Sequence, residues 1–178
     1  CELVDMRADS ARLVAWRVTS TRIERLSASE LTAQRSSWRE ATLAASRVGA
    51  LIMHDTQWRS VAVEGCQISF LNLGGANLLD VVVRDCVIDT LDLTAAVLSR
   101  VAFEDCRVGT LRLRGGSLSD IDLRGLEMSV VDGVDSLAGT TISGEQLTEL
   151  APLLAQHLEL RVEDQDDRQN PITGSRRA

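Results

Sequence analysis

From Leu3 to Met128 every fifth residue is apolar, twenty-six positions without one polar side chain. The positions two residues earlier, from Cys1 to Leu126, hold mostly Ala, Cys, Ser, Thr, Val and Leu and are smaller on average. A helix would spread a five-residue period around its whole circumference, because its side chains recur every 3.6 residues, and a plain strand alternates with period two. Neither element fits. A chain that turns a corner every five residues does, with two side chains of each five pointing inward and three facing solvent. Residues 61–80, 81–100 and 101–120 also align without gaps, sharing Val61/Val81/Val101, Cys66/Cys86/Cys106, Leu71/Leu91/Leu111 and Leu78/Leu98/Leu118. Four fives therefore make one square turn, and successive turns are predicted to pair like parallel strands about 4.8 Å apart.

Charge follows the same geometry. Residues 1–135 contain 15 Arg and 19 Asp or Glu, and none lies in either inward column. Residues twenty apart stand above one another, and most charged neighbours so defined alternate in sign: Glu64–Arg84–Glu104–Arg124, Asp80–Arg100–Asp120, Asp92–Arg112–Asp132, Glu2–Arg22, Asp5–Arg25, Arg35–Asp55 and Arg107–Glu127. Only Arg39–Arg59 and Asp85–Asp105 match in sign. Most of the surface charge is thereby assigned to holding the register of the coils. Residues 1–60 net +2 and residues 61–135 net −6, so a basic partner surface is expected on the later coils, near Asp85, Asp89, Asp105, Asp120 and Asp122.

Three fives, Ala76-Asn77-Leu78-Leu79-Asp80, Leu91-Asp92-Leu93-Thr94-Ala95 and Ile121-Asp122-Leu123-Arg124-Gly125, carry a pattern close to Ala-(Asp/Asn)-Leu-x-x. In this the chain resembles the pentapeptide-repeat family. The resemblance implies an all-β fold, a right-handed quadrilateral β-helix with a short α-helical C-terminal cap. Some members of that family resemble B-form DNA, occupy the DNA-binding surface of type II topoisomerases, protect gyrase from quinolones, and dimerise through the cap. A rod over residues 1–132 would be about 31 Å long, a length of duplex that carries about 18 negative charges. The rod here nets −4. The first expectation is therefore a non-catalytic protein-binding or structural scaffold, and the alternative is a DNA-mimicking binder of DNA gyrase or topoisomerase.

Beyond residue 135 the period ends. Ser143-Gly144-Glu145-Gln146 has capping-box spacing and is followed by Leu147, Leu150, Ala151, Leu154 and Leu158, which predicts a helical lid over the last apolar coil. Pro152 predicts a break or kink in that helix. Leu158–Val162 alternates like a strand, so the chain divides into a rod (1–135), a helical cap with a terminal strand (136–164) and a disordered tail (165–178). Leu147, Leu150, Leu154 and Leu158 exceed what a lid alone requires, and with the resemblance they imply a homodimer.

The composition of the 178-residue chain removes other chemistries. No apolar run approaches the roughly 18 residues of a membrane span, and no basic stretch precedes an apolar one at the N-terminus. All 19 basic residues are Arg, so a P-loop or a Schiff base has no lysine, and a net charge of −7 argues against direct nucleic-acid binding. His54, outward on the rod, and His157, on the cap, lack a catalytic partner at suitable spacing; Gly74-Gly75 and Gly115-Gly116 fall at corners, and neither an enzyme, a cofactor nor a metal is expected. Stacked Cys66, Cys86 and Cys106 read as buried reduced thiols in a cytoplasmic protein; partial oxidation within the column is the alternative, and without C-x-x-C a zinc site has weak support. Trp38 and Trp58, one turn apart, are expected to stack. Because Cys1 is already in register, either upstream residues have been removed or Cys1 is a lipidated mature terminus.

Overall fold

In a computed structural model, which describes residues 1–163, the chain winds into stacked coils that form two parallel sheets. One has eight strands, from Glu2–Val4 to Thr140–Thr141, and the other seven, from Arg7–Arg12 to Leu126–Asp132. Each rod strand pairs with the one twenty residues on: Val61 with Val81 and Val81 with Val101, Ile68 with Ile88 and Ile88 with Val108. Leu93, Leu98, Phe103 and Val108 are buried in one continuous core, as four successive walls around a shared interior require. Burying each such side chain contributes about 1.5–3 kcal/mol, most of it offset by the entropy of ordering its coil.

The corners carry a conformational cost. In each of the first six coils three of the four corners hold a residue with left-handed φ, at Asp5, Ala15 and Ser20 and at every twentieth position after them as far as Asp120. Only Gly65, Gly75 and Gly115 among these are glycine, whereas any other L-residue loses roughly 1–2 kcal/mol there. The fourth corner, at Ser10 and its equivalents, bends without positive φ, and the strand runs through it.

Inside the rod Trp38 stacks on Trp58, with centroids 5.8 Å apart and planes at 30°. Trp16, which the sequence assigns to the smaller column, meets Trp38 edge-on at 5.9 Å. Three indoles thus fill an end of the core otherwise lined by Ala28 and Ala33. The thiols serve the backbone. Ser46 and the cysteines above it share one column: Ser46 Oγ accepts from Leu26 N–H at 3.0 Å and donates to the Ala44 carbonyl at 2.7 Å. Cys86 Sγ likewise accepts from Cys66 N–H at 3.4 Å and donates to the Arg84 carbonyl at 3.1 Å. Cys66, Cys86 and Cys106 are free and buried. Hydrogen bonding with Cys106 and Cys66, together with burial, holds Cys86 well above the ordinary thiol range.

The last coil departs from the period. After Gly133 a 3-10 turn, Val134–Leu137, replaces a wall, and Thr140 pairs with Ile121, nineteen residues away rather than twenty. A Cβ on Gly139 would lie 2.5 Å from the Leu118 carbonyl oxygen, so the shortened path needs glycine there. Ser143 then caps the helix Gly144–His157, its hydroxyl accepting from Gln146 N–H at 3.1 Å while Gln146 Oε1 accepts from Ser143 N–H at 2.8 Å. Gln146 also donates through Nε2 to the carbonyl of Leu126 (2.7 Å), which the ended ladder leaves open, and to that of Leu123 (2.6 Å), which accepts from Leu126 N–H as well. Leu150 is buried against the coil below, 5% exposed.

Two expectations for the cap are corrected. Of the break or kink expected at Pro152, the break is corrected: Pro152 lies inside a single helix, with lid contacts on both sides, Leu150 before it and Leu154 after it, holding the segment on the rod. Leu158–Val162 forms no strand, since Thr140–Thr141 has already taken the sheet edge at Ile121 and Asp122. The tail expected over 165–178 lies outside the described residues.

Gln146→Glu keeps the oxygen that caps Ser143 but turns a carboxylate toward two carbonyls; urea denaturation at neutral pH is expected to show a loss of about 2–3 kcal/mol. At the corners, Ala95→Gly relieves a φ of 57° and is expected to raise stability by about 0.5–1 kcal/mol. Gly75→Ala is expected to lower it by about 1–2 kcal/mol in the same measurement, as the new Cβ would lie 2.5 Å from Asp55 Oδ1.

Candidate interaction surface

On the outside of the rod arginines bridge the coils. Arg25 grips Asp5 with Nε at 2.7 Å and Nη2 at 2.9 Å, and Arg100 grips Asp80 in the same way at 2.6 and 3.0 Å. Arg84 stands between Glu64 (3.6 Å) and Glu104 (3.3 Å), Arg107 meets Glu127 at 2.8 Å, and Arg112 reaches Asp92 at 3.7 Å. Other arginines choose a carboxylate outside their own column. Arg22 bonds Glu24 at 3.0 Å, Arg114 takes Asp132 at 2.6 Å in place of Arg112, and Arg124 turns from Glu104 to Asp122, with contacts of 2.6 and 3.0 Å. A long exposed side chain settles on the nearest acceptor, and no single pair is worth more than roughly 1 kcal/mol.

The five candidate aspartates fall into two groups. Asp85 and Asp105 lie one coil apart at the corner that opens one wall of the rod, between the registers Arg84–Glu104 and Val87–Arg107, and Asp89 lies just before the far corner of that wall, at Thr90. Asp120 and Asp122 border the preceding wall, where Arg124 holds the Asp122 carboxyl down to about 2 through its side-chain and backbone hydrogen bonds. Asp85 and Asp105 form no ion pair among the described residues. They border a groove of about 790 Å³, also lined by the first two turns of the cap helix, with Glu145 and Glu149. Arg107 and Arg124 also line it, but each is bonded to a carboxylate, Glu127 and Asp122. The groove is therefore acidic. Its helical half was missed in the sequence, although the capping box already placed Glu145 in the first turn and Glu149 one turn on.

The four cap leucines divide as well. Leu150 and Leu154 pack onto the last coil, whereas Leu147 (51% exposed) and Leu158 (62%) remain at its rim. His54 lies on the surface with Nδ1 2.9 Å from Asp55 Oδ2. Among the described residues no group of three or more His, Cys, Asp or Glu is placed to hold a metal ion, and no helix is long and apolar enough to cross a membrane.

The chain is a parallel β-solenoid. No protein-family model matches its sequence, and neither does any curated protein. Among solved structures it is similar to QnrB1, a plasmid-mediated fluoroquinolone resistance protein with pentapeptide repeats. One trypsin-treated QnrB1 variant matches with a TM-score of 0.39 and 13% identity over 92% of this chain and 99% of that one. A second such variant gives 0.29 and 14% over 92% and 97%, and full-length QnrB1 gives 0.21 and 11% over 86% and 96%. At these scores the likeness says nothing about activity or partners.

Acid should weaken the coil contacts. Hydrogen bonds from Arg25 and Arg100 lower the carboxyls of Asp5 and Asp80, and Asp122 falls to about 2. A carboxyl depressed in the folded state stabilises it above the unfolded pKa of about 3.9, and that contribution disappears as pH drops through the folded value. Thermal melts are expected to lose stability between about pH 4 and pH 2, with a shallower fall in Asp80→Asn.

Proposed function

We propose that the rod is a non-catalytic scaffold that docks a basic protein surface in the groove between the Asp85–Asp105 corner and the cap helix. The observation that carries this reading is the placing of those two like charges one coil apart, neither in an ion pair among the described residues, on a surface where most charged neighbours alternate in sign. Like charges directly opposite one another weaken a sheet, so the corner gives up stability for an acidic face. Glu145 and Glu149 extend that face from a different element. The left-handed corner accepts Asn as readily as Asp, so the turn itself does not require the charge.

Asp85→Asn/Asp105→Asn removes both charges and keeps the corner. A fluorescent hexa-arginine peptide, followed by anisotropy at low salt, is expected to bind the native chain and to bind the double variant several-fold more weakly; equal binding sinks the groove assignment. The DNA-mimicking reading rests on resemblance and is disfavoured by the pairing of the rod's arginines with its acids. Purified gyrase is therefore expected to supercoil DNA unhindered, and to gain no protection from quinolones, at micromolar concentrations of this protein. Inhibition or protection would move the assignment to the mimic.

Self-association through the exposed rim of the cap helix belongs to the same proposal, supported by Leu147 and Leu158 together with Leu153, which is 37% exposed. Light scattering at high micromolar concentration is expected to give a dimer that Leu147→Glu/Leu158→Glu returns to a monomer. A native chain that scatters as a monomer rejects it.

A further inference from the structure

The surface breaks its alternation of sign in one other place. Arg39 pairs in register with Arg59, one coil apart, just before a corner of the wall that encloses the tryptophans. Arg17 lies on the same wall one coil earlier, paired with Ser37, while Thr19 pairs with Arg39. Arg17, Thr19, Ser37, Arg39 and Gln57 border a groove of about 420 Å³. None of Arg17, Arg39 and Arg59 is in an ion pair among the described residues. The carboxylates closest in register are engaged elsewhere: Glu40 accepts from the Ser20 hydroxyl at 2.8 Å, and Asp80, whose carboxyl Arg59 helps to lower, is gripped by Arg100. The groove is therefore lined by guanidinium forks and by uncharged hydroxyl and amide groups.

Nothing in the fold calls for this arrangement. The three side chains point outward, the core beneath them is already filled by Trp38 and Trp58, and stacked like charges oppose coil pairing. A local rule broken without a structural return marks a functional position. We infer that Arg17, Arg39 and Arg59 form a docking surface for an acidic segment of a partner protein, a short run of Asp or Glu. Guanidinium forks match carboxylates in paired hydrogen bonds, and Thr19, Ser37 and Gln57 supply further donors between them. The patch spans two coil spacings, about 10 Å, which accommodates about three carboxylates. A nucleic acid would bring a long polyanion against a chain of net charge −7, and three arginines neutralise too few phosphates to hold it. This surface belongs to the early coils and the acidic groove to the late ones, so either assignment stands if the other fails.

The test uses the full chain and a fluorescent hexaglutamate peptide followed by anisotropy, with hexaglutamine and a short single-stranded oligothymidylate as parallel probes. Hexaglutamate is expected to bind, hexaglutamine not to, and affinity to fall about tenfold in Arg39→Gln/Arg59→Gln. It should be unchanged in Arg112→Gln, on another wall, and in Asp85→Asn/Asp105→Asn. The melting temperature of Arg39→Gln/Arg59→Gln is expected to match or exceed that of the native chain, since a like-charge contact has been removed. Four results would overturn the inference: no binding of hexaglutamate at millimolar peptide, undiminished binding in the arginine variant, tighter binding of the oligothymidylate, or a lowered melting temperature that gives these arginines to the fold.

Discussion

Pairing between residues twenty positions apart is the constraint from which the rest of this molecule follows. Inward and outward side chains alternate along each wall, so a slip of one residue would turn Leu78, Leu98 and their equivalents to solvent and drive charges into the core. Register and core are thus one requirement. It explains why residues of similar size recur above one another, as Ile68, Ile88 and Val108 do, and why left-handed corners at alanine and arginine are tolerated. A corner that relaxed to an ordinary φ would swing the next wall out of register, and the loss of packing there would exceed the strain relieved.

The same stacking governs the surface. Because each outward residue faces another a strand spacing away, unlike charges support the coil contact and like charges oppose it. Arg25 on Asp5 and Arg100 on Asp80 are of the supporting kind. The two opposing contacts, Arg39 over Arg59 and Asp85 beside Asp105, lie on early and late coils respectively; Arg39 borders a basic groove, and Asp85 and Asp105 an acidic one. A rod so built presents two electrostatically distinct faces on one rigid body without a loop or a hinge.

Where the repeat stops, different interactions take over. The Leu126 carbonyl meets the side chain of Gln146 instead of another coil, the Leu123 carbonyl accepts from the same amide, and Leu150 replaces the next inward residue. One glutamine therefore starts the helix and fastens it to the rod. Leu150 and Leu154, packed on the rod on either side of Pro152, hold the helix continuous through it and leave Leu147 and Leu158 as the exposed rim.

The walls, the twenty-residue register, the Trp38–Trp58 stack and the capping box were all readable from the amino-acid order, because each depends on a fixed spacing between residue types. Which arginine meets which carboxylate was not: Arg124 prefers Asp122, and Arg114 displaces Arg112 at Asp132, because a long exposed side chain selects among acceptors by distance in space. Nor did the spacing reveal the nineteen-residue closing step, Trp16 against Trp38, or the approach of Glu145 and Glu149 to the Asp85–Asp105 corner. Those arise where a repeating element meets a non-repeating one. There periodicity carries no information, and packing in three dimensions decides.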